Sequence, residues 1–365
     1  MPCPGSSPAQ SATIGTVAGA VYLTAMGPAS GKSIVALGLV ELLSRRVSRV
    51  GFYRPIVQRL PDNDLELIRS QYDLPDERCG HAFTAAERAR VGGATQAGMV
   101  RIVEQFKRIE AASDFVVVEG TDFTGASSPV ELEVNARISQ HLGLPIVAVV
   151  DGHRCTAAEI VERIAVGRDS LGDDAITAII VNRVEPSVID GLADGLADID
   201  LRDPVWSIPE EPMLRRPSLD QLRAALGAEL VAGDPDDLPR PVGHVKVAAM
   251  SVPNVLDHVE DDTVFILPGD RPEVIVAAAM TRLSSAYPSV SGMVLTGGLR
   301  PDPRVVELID KMPGGTSMPL LAVELDTFDT TIAVNGIEGA ITAGDRRKVD
   351  VALGHFEAHV ALDEL

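Results

Sequence analysis

Ala20-Val21-Tyr22-Leu23-Thr24, followed by Gly27-Pro28-Ala29-Ser30-Gly31-Lys32-Ser33 and the mostly apolar run from Ile34 to Leu43, decides how this chain folds. The first segment suits a buried strand and the last an internal face of a helix, with a Gly- and Ser-rich turn between them. Such a turn lets backbone N–H groups converge on an anion at a helix N-terminus, while a Lys adds point charge and a Ser hydroxyl can hold Mg²⁺. The stretch therefore reads as strand, phosphate loop, helix, with Gly27, Ser30, Gly31, Lys32 and Ser33 as candidate phosphate contacts and Ser33 also as a metal ligand. In the usual G-x-x-x-x-G-K-[ST] spacing the first Gly falls where Met26 stands, and Gly27 lies one residue too close. That departure favours binding over turnover. The plainer alternative is a strand-to-helix turn that is merely Gly-rich.

Composition narrows the partners. At 365 residues the chain exceeds one ordinary core and implies two domains. Lys and Arg total 32 against 52 Asp and Glu, a net charge of −20 that repels nucleic acid backbones and anionic lipid surfaces. Neither nucleic acid nor a membrane is expected as a partner. Cys3, Cys79 and Cys155 show no C-x-x-C spacing, so the sequence supports neither a disulfide framework nor a Cys-based zinc site, and a cytoplasmic location is expected. Lys32 is the first positive side chain, which leaves no basic segment of a secretory signal, and apolar runs such as Pro145 to Val150 are too short to span a bilayer.

Short Val/Ile-rich runs alternate with longer helical patterns, the mark of a parallel sheet covered on both faces. Strands are expected near 20–24, 50–53, 115–118, 146–150, 176–181 and 205–208. The fold class that follows is α/β, a doubly wound, mostly parallel sheet over residues 18–233, preceded by a loose leader at 1–17. The Pro-, Gly- and Asp-rich stretch at 234–243 reads as a linker. A second, smaller α/β domain is expected over 244–365, with strands near 245–250, 263–267, 292–295 and 320–323 and a closing helix over 346–362.

Three further residues carry candidate chemistry. Glu119 ends the apolar strand Phe115 to Val118, where a carboxylate can reach a metal bridging nucleotide phosphates; a solvated strand boundary is the duller reading. In Asp62-Asn63-Asp64, Asp62 suits a helix cap, and Asp64 points either to solvent or to that same metal. Asn182, closing the strand 176–181, offers an amide that reads a base edge or satisfies a turn.

Together the phosphate loop, Tyr53-Arg54-Pro55-Ile56, Val118-Glu119-Gly120, Val181-Asn182-Arg183 and Ile208-Pro209-Glu210 resemble the dethiobiotin synthetase-like branch of phosphate-loop proteins. The resemblance implies that Lys32 and Ser33 bind ATP or a related nucleotide with Mg²⁺, that Glu119 and Asp64 assist the metal, and that Asn182 contacts adenine. Two departures stand out. Those synthetases carry a Lys at the place of Arg54, and an Arg cannot be deprotonated for carbamate chemistry. They also follow the Glu with a Gly-rich turn, where this chain has Thr121-Asp122-Phe123-Thr124.

Further on, Leu267-Pro268-Gly269-Asp270-Arg271 and Leu295-Thr296-Gly297-Gly298 resemble the signature turns of a DRTGG domain. Asp270 with Glu273 suits a capping pair ahead of a helix opened by Pro272, and Gly297-Gly298 permits positive φ or a close approach. A dethiobiotin synthetase-like domain joined to a DRTGG domain is the layout of the N-terminal half of long-form bacterial phosphate acetyltransferases. The resemblance implies a regulatory and assembly module that binds a nucleotide or metabolite effector, forms a homo-oligomer and precedes a C-terminal transferase domain. The chain has no G-x-S-x-G elbow and no H-E-x-x-H, and acetyl transfer from it alone is not expected. The alternatives are a dethiobiotin synthetase-like ligase and an oligomerisation scaffold with a vestigial loop.

Overall fold

Strands that are apolar on both faces need helices above and below them, and the chain supplies these in two compact units. One unit comprises the chain up to Glu210 together with the residues from Asp350 onward, and the other is Glu211–Val349. The computed structural model describes residues 19–28, 30–91, 96–121, 128–197, 201, 203–313 and 317–361. The expected leader at 1–17, Ala29 and Asp122-Phe123-Thr124 lie outside the described residues.

The first unit alternates strand and helix: β1 (Ala20–Ala25), α1 (Lys32–Ser44), β2 (Val50–Val57), α2 (Asn63–Tyr72), β3 (Cys79–Thr84), α3 (Ala85–Val91), α4 (Gln96–Ala112), β4 (Phe115–Glu119), α5 (Ser128–Leu142), β5 (Ile146–Asp151), α6 (Ala157–Leu171), β6 (Ile176–Val184), α7 (Ile189–Ala197) and β7 (Val205–Pro209). The strands form one sheet in the order β3-β2-β4-β1-β5-β6-β7, and each described pairing is parallel. All residues of β1 and β2 are buried, as a doubly covered sheet requires. The chain moves outward from β1 through β2 to β3, returns at β4, and then crosses to β5. Open α/β sheets bind ligands beyond the carboxyl ends of their strands at such a reversal.

Local signals set the helix starts. Asp62 caps α2 by accepting from Leu65 N at 3.1 Å, as the sequence predicts. Thr156 and Glu159 close a reciprocal capping box at α6.

The second unit holds α8 (Pro212–Arg215), α9 (Leu219–Leu226), β8 (Glu229–Ala232), β9 (His244–Val247), α10 (Val252–Leu256), β10 (Thr263–Pro268), α11 (Pro272–Thr281), β11 (Val290–Thr296), α12 (Pro303–Asp310), β12 (Leu320–Ala322) and α13 (Thr327–Asn335). Its sheet order is β8-β12-β11-β10-β9, with β8 antiparallel to β12 and the other described pairings parallel. Side chains of β10 alternate between two cores: Phe265 and Leu267 meet Val274 and Ile275 of α11, while Val264 and Ile266 join Leu219 and Leu222 of α9.

Several expectations change here. The boundary falls at Glu210 rather than at 234–243, because β8 pairs with β12 and so belongs to the second sheet. The stretch expected as a linker is folded into that unit: Asp234 caps a single 3₁₀ turn at Pro235–Asp237, Leu219 N donates to Arg240 O at 3.1 Å, and Arg282 Nη2 meets Asp237 Oδ2 at 2.8 Å. At α11 the capping residue is Arg271, with no side-chain cap hydrogen bond, so the expected Asp270–Glu273 pair is replaced. The Arg271 guanidinium instead bonds Glu273 at 3.0 Å and the carbonyls of Ala248, Ala249 and Met250 at 3.2–3.4 Å. Gly297 and Gly298 do adopt positive φ, 79° and 66°. No helix among the described residues is long and apolar enough to cross a membrane.

The closing helix α14 (Arg346–His359) is present, and its residues from Asp350 onward count with the first unit rather than with a domain ending at 365. Phe356 there is fully buried, and a Cβ placed on Gly38 of α1 would come within 2.2 Å of its ring. Arg45 adds a two-pronged ion pair to Glu357 at 2.6 and 3.1 Å. In an exposed helix Gly→Ala gains about 1 kcal/mol; here the sign reverses. Gly38→Ala is expected to cost about 1–3 kcal/mol by overpacking, and the cost should shrink when Phe356 is also truncated to Ala. Urea melts of the two single variants and the double variant measure this, and an unchanged or raised midpoint for Gly38→Ala would contradict the contact.

Candidate functional site

Because the first sheet is parallel, the ends of β1, β2, β4, β5, β6 and β7 open on one edge, and the candidate residues sit there. Gly31 is the residue before α1 and holds φ at 73°, a left-handed conformation that suits glycine. Its α1 neighbours Lys32 and Ser33 lie in the first turn, where helix N–H groups have no intrahelical acceptor and the helix dipole favours an anion.

Asn182, at the end of β6 and 2% exposed, donates from Nδ2 to Ser30 O at 2.9 Å and lies 3.5 Å from Gly31 O. A Cβ on Gly31 would come within 2.5 Å of that nitrogen. The Asn182 amide thus braces the loop, which is the turn-satisfying reading of the two left open by the sequence.

Lys32 is 4% exposed and donates from Nζ to Gly120 O at 2.8 Å. That bond ties the loop to the turn after β4. Met26 continues the β1–β5 ladder by donating its N–H to Val149 O at 2.8 Å, and its side chain is buried in the core shared with Ile160 and Ile164 of α6. The residue that breaks the usual loop spacing therefore turns its bulk inward. A Cβ on Gly27 would meet nothing within 4 Å, so no close contact demands glycine there. Ser33 is half-buried in the first turn of α1.

The acidic candidates converge, but on a cation that the chain itself provides. The side chain of Arg54, near the end of β2, is 8% exposed, and its Nη1 lies 2.7 and 2.8 Å from the two Asp62 oxygens and 2.9 Å from Asp64 Oδ2. Its Nη2 lies 3.6 Å from Glu119 Oε1. Burial alone would lower the Arg54 pKa; the carboxylates of Glu119, Asp64 and Asp62 outweigh it, and the net shift is upward. The guanidinium stays charged.

Behind Glu119, Asn135 of α5 fixes the turn. Its Oδ1 accepts from the Tyr22 hydroxyl at 2.8 Å and from Thr121 N at 3.1 Å, and its Nδ2 donates to Thr121 O at 3.0 Å.

Magnesium prefers octahedral coordination at about 2.0–2.1 Å and is held by one or two carboxylates with several waters. One oxygen of Asp64 and one of Glu119 face Arg54 instead, and among the described residues no group of three or more His, Cys, Asp or Glu is placed to hold a metal. Of the expected metal set of Ser33, Asp64 and Glu119, the two acids form an ion cluster with Arg54, an arrangement that suits a guanidinium rather than Mg²⁺.

At the other side of the edge, Arg183 follows Asn182 with φ at 65°, a conformation uncommon outside glycine. Its Nε donates to Glu210 Oε2 at 3.2 Å and its Nη1 lies 3.7 Å from Asp151 Oδ1, while His153 Nδ1 lies 3.5 Å from the same Glu210 oxygen. The Asp151 pKa is raised, chiefly by burial. Sequence reasoning missed the roles of Arg54, Asn135 and Asp151. An Arg near the end of a wholly buried strand, with acids eight and ten residues later, was the available signal for the first; a polar residue inside a helix gave none for Asn135.

The bracing role of Asn182 predicts a contrast. Asn182→Ala removes one donor from the buried Ser30 carbonyl and is expected to cost about 1–3 kcal/mol, evenly between pH 4 and 7. Asn182→Asp sets a carboxylate against carbonyl oxygens, which raises its folded pKa above the unfolded value of about 3.9, so its deficit grows as pH rises through the folded pKa. Denaturant melts across pH, with amide exchange at residues 30–34, measure both; a flat profile for the Asp variant would rule the bracing out.

Comparison with known proteins gives this geometry a family. The AAA domain matches residues 19–231 and the DRTGG domain residues 221–337. The chain is 34% identical over 359 residues to a phosphate acetyltransferase of Nitratidesulfovibrio vulgaris, covering 94% of this chain and 51% of that protein. It is 27% identical over 357 residues to the phosphate acetyltransferase of a Synechocystis species, with coverage of 94% and 51%. For that of Pseudomonas aeruginosa the identity is 26% over 371 residues, with the same coverage. The chain thus spans about half the length of the curated relatives it matches. With a phosphate-loop unit first and a DRTGG unit behind it, this chain belongs to the AAA domain family and resembles the N-terminal half of a long-form bacterial phosphate acetyltransferase.

Proposed function

We propose that the chain is the regulatory and assembly portion of a phosphate acetyltransferase, binding a nucleotide effector at the α1 loop in the cytoplasm and organising a homo-oligomer. In the whole protein the reaction would interconvert acetyl-CoA and phosphate with acetyl phosphate and CoA, and the transfer itself is assigned to the other half. The observation that carries this reading is the left-handed Gly31 at the mouth of α1, braced by Asn182 and followed by Lys32, on the edge where parallel strand ends collect ligands. Phosphates would sit on the α1 N–H groups with Lys32 beside them. The base would lie toward Arg183 and Glu210, with Asn182 supporting the loop rather than reading the base directly.

A ligase of the dethiobiotin synthetase type is less well supported. Arg54 is buried among acids and permanently charged, so it offers no neutral amine for carbamate chemistry. An effector role needs only differential affinity for two states of the assembly, which an equilibrium binding site supplies.

Calorimetric titration of ATP, ADP and NADH into the chain, alongside Lys32→Ala, tests the site. Binding by at least one of these is expected, weakened at least about tenfold by the substitution, or ~1.4 kcal/mol. An affinity that Lys32→Ala leaves untouched would place the ligand elsewhere. Phosphate release from ATP stimulated by a diamine substrate would favour the ligase reading.

A further inference from the structure

The cluster around Arg54 deepens the nucleotide reading, on which the following rests. We infer that the loop binds its polyphosphate ligand without a divalent cation, the Arg54 guanidinium holding the place among Asp62, Asp64 and Glu119 that a metal ion would otherwise fill. Three carboxylates from two distant parts of the chain point at one centre: Asp62 and Asp64 from the start of α2, and Glu119 from the end of β4. Such convergence normally needs a cation, because like charges brought together in a desolvated site repel strongly. Here the cation is covalently part of β2.

The geometry leaves a metal little opportunity. Nη1 of Arg54 takes both oxygens of Asp62 and one of Asp64 within 2.9 Å, so a hydrated divalent ion would have to displace it from oxygens already engaged. Arg54 cannot yield by losing its proton. It cannot readily swing out either, since β2 is buried along its length and the side chain is enclosed. A divalent ion beside the guanidinium would add like-charge repulsion to that loss.

The phosphate seat does not need the metal. Its donors are the N–H groups at the head of α1 and the Lys32 ammonium, which also bonds the Gly120 carbonyl next to Glu119. What the metal would add in a catalytic phosphate loop is neutralisation of charge developing between the β- and γ-phosphates. Without it the bound nucleotide remains intact, and the site reads ligand concentration at equilibrium. That separates this loop from those that turn over ATP.

Two measurements on the full chain decide the matter. Calorimetric titration of ATP in EDTA and in excess Mg²⁺ is expected to give dissociation constants within about threefold of each other. Mn²⁺ alone, followed by its electron paramagnetic resonance signal, is expected to show no saturable submillimolar site in the parent chain and to gain one in Arg54→Met, lost again when Asp64→Asn is added. ATP bound only with Mg²⁺, or a parent Mn²⁺ site abolished by Asp64→Asn, overturns the inference while the nucleotide reading stands. No binding of ATP, ADP or NADH in either buffer overturns both. The parent-chain arms need no variant, so a misfolded Arg54→Met does not rescue the idea.

Discussion

The guanidinium of Arg54, held by three carboxylates, is the interaction around which the functional edge is organised. It joins β2, the first turn of α2 and the end of β4, and the sheet sets β2 beside β4, with Tyr53 opposite Val118. Buried ion clusters are poor sources of net stability, because desolvation offsets much of the attraction, yet removing one member costs about 3–5 kcal/mol by leaving the others uncompensated. The cluster therefore fixes geometry more than it adds stability. From Glu119 the order passes to the Gly120 carbonyl, to Lys32, and through the loop to Asn182, so the loop is braced from both sides of β1.

This edge explains how much the sequence could say. The β1–loop–α1 unit was legible because a buried strand, a Gly-rich turn and an apolar helix each have their own pattern. Glu119 and Asp64 were legible as acids bound for one place. Their counterion was not, since a strand-end Arg and a metal ion satisfy the same carboxylates and local pattern cannot tell them apart. The amide of Asn182 posed the same difficulty: its donors serve a ligand or a carbonyl equally well until the loop is in place.

Elements at the sheet edges were the ones missed. The strand β3, Cys79–Thr84, contains Gly80 and His81 and is only partly buried, so it lacks the continuous apolar run of the central strands. The strand β8 is four residues long and antiparallel. Its neighbour, the Pro- and Asp-rich segment, has a linker's composition, but its charges are spent on Arg282 and Arg240 and its Pro on a 3₁₀ turn. Composition reports solubility, and here solubility concealed pairing. In the same way Asp270 has the chemistry of a helix cap, while the nearby Arg271 found three carbonyls to satisfy and took over the task of fixing that turn.

A phosphate loop has two separable parts, an anion seat made of backbone and Lys, and a metal seat made of acids. Selection on binding alone preserves the first and leaves the second free to be filled by whatever neutralises the acids at least cost. A guanidinium meets that demand well: it is always charged, it carries several N–H donors that reach more than one carboxylate, and it does not depend on a cellular ion pool. The acids are then kept for a different reason from the one that pattern suggests. They pair with Arg54, Glu119 lies beside the Gly120 carbonyl, and that carbonyl holds Lys32, so residues that read as metal ligands in sequence act here on the geometry of the loop through an ion cluster.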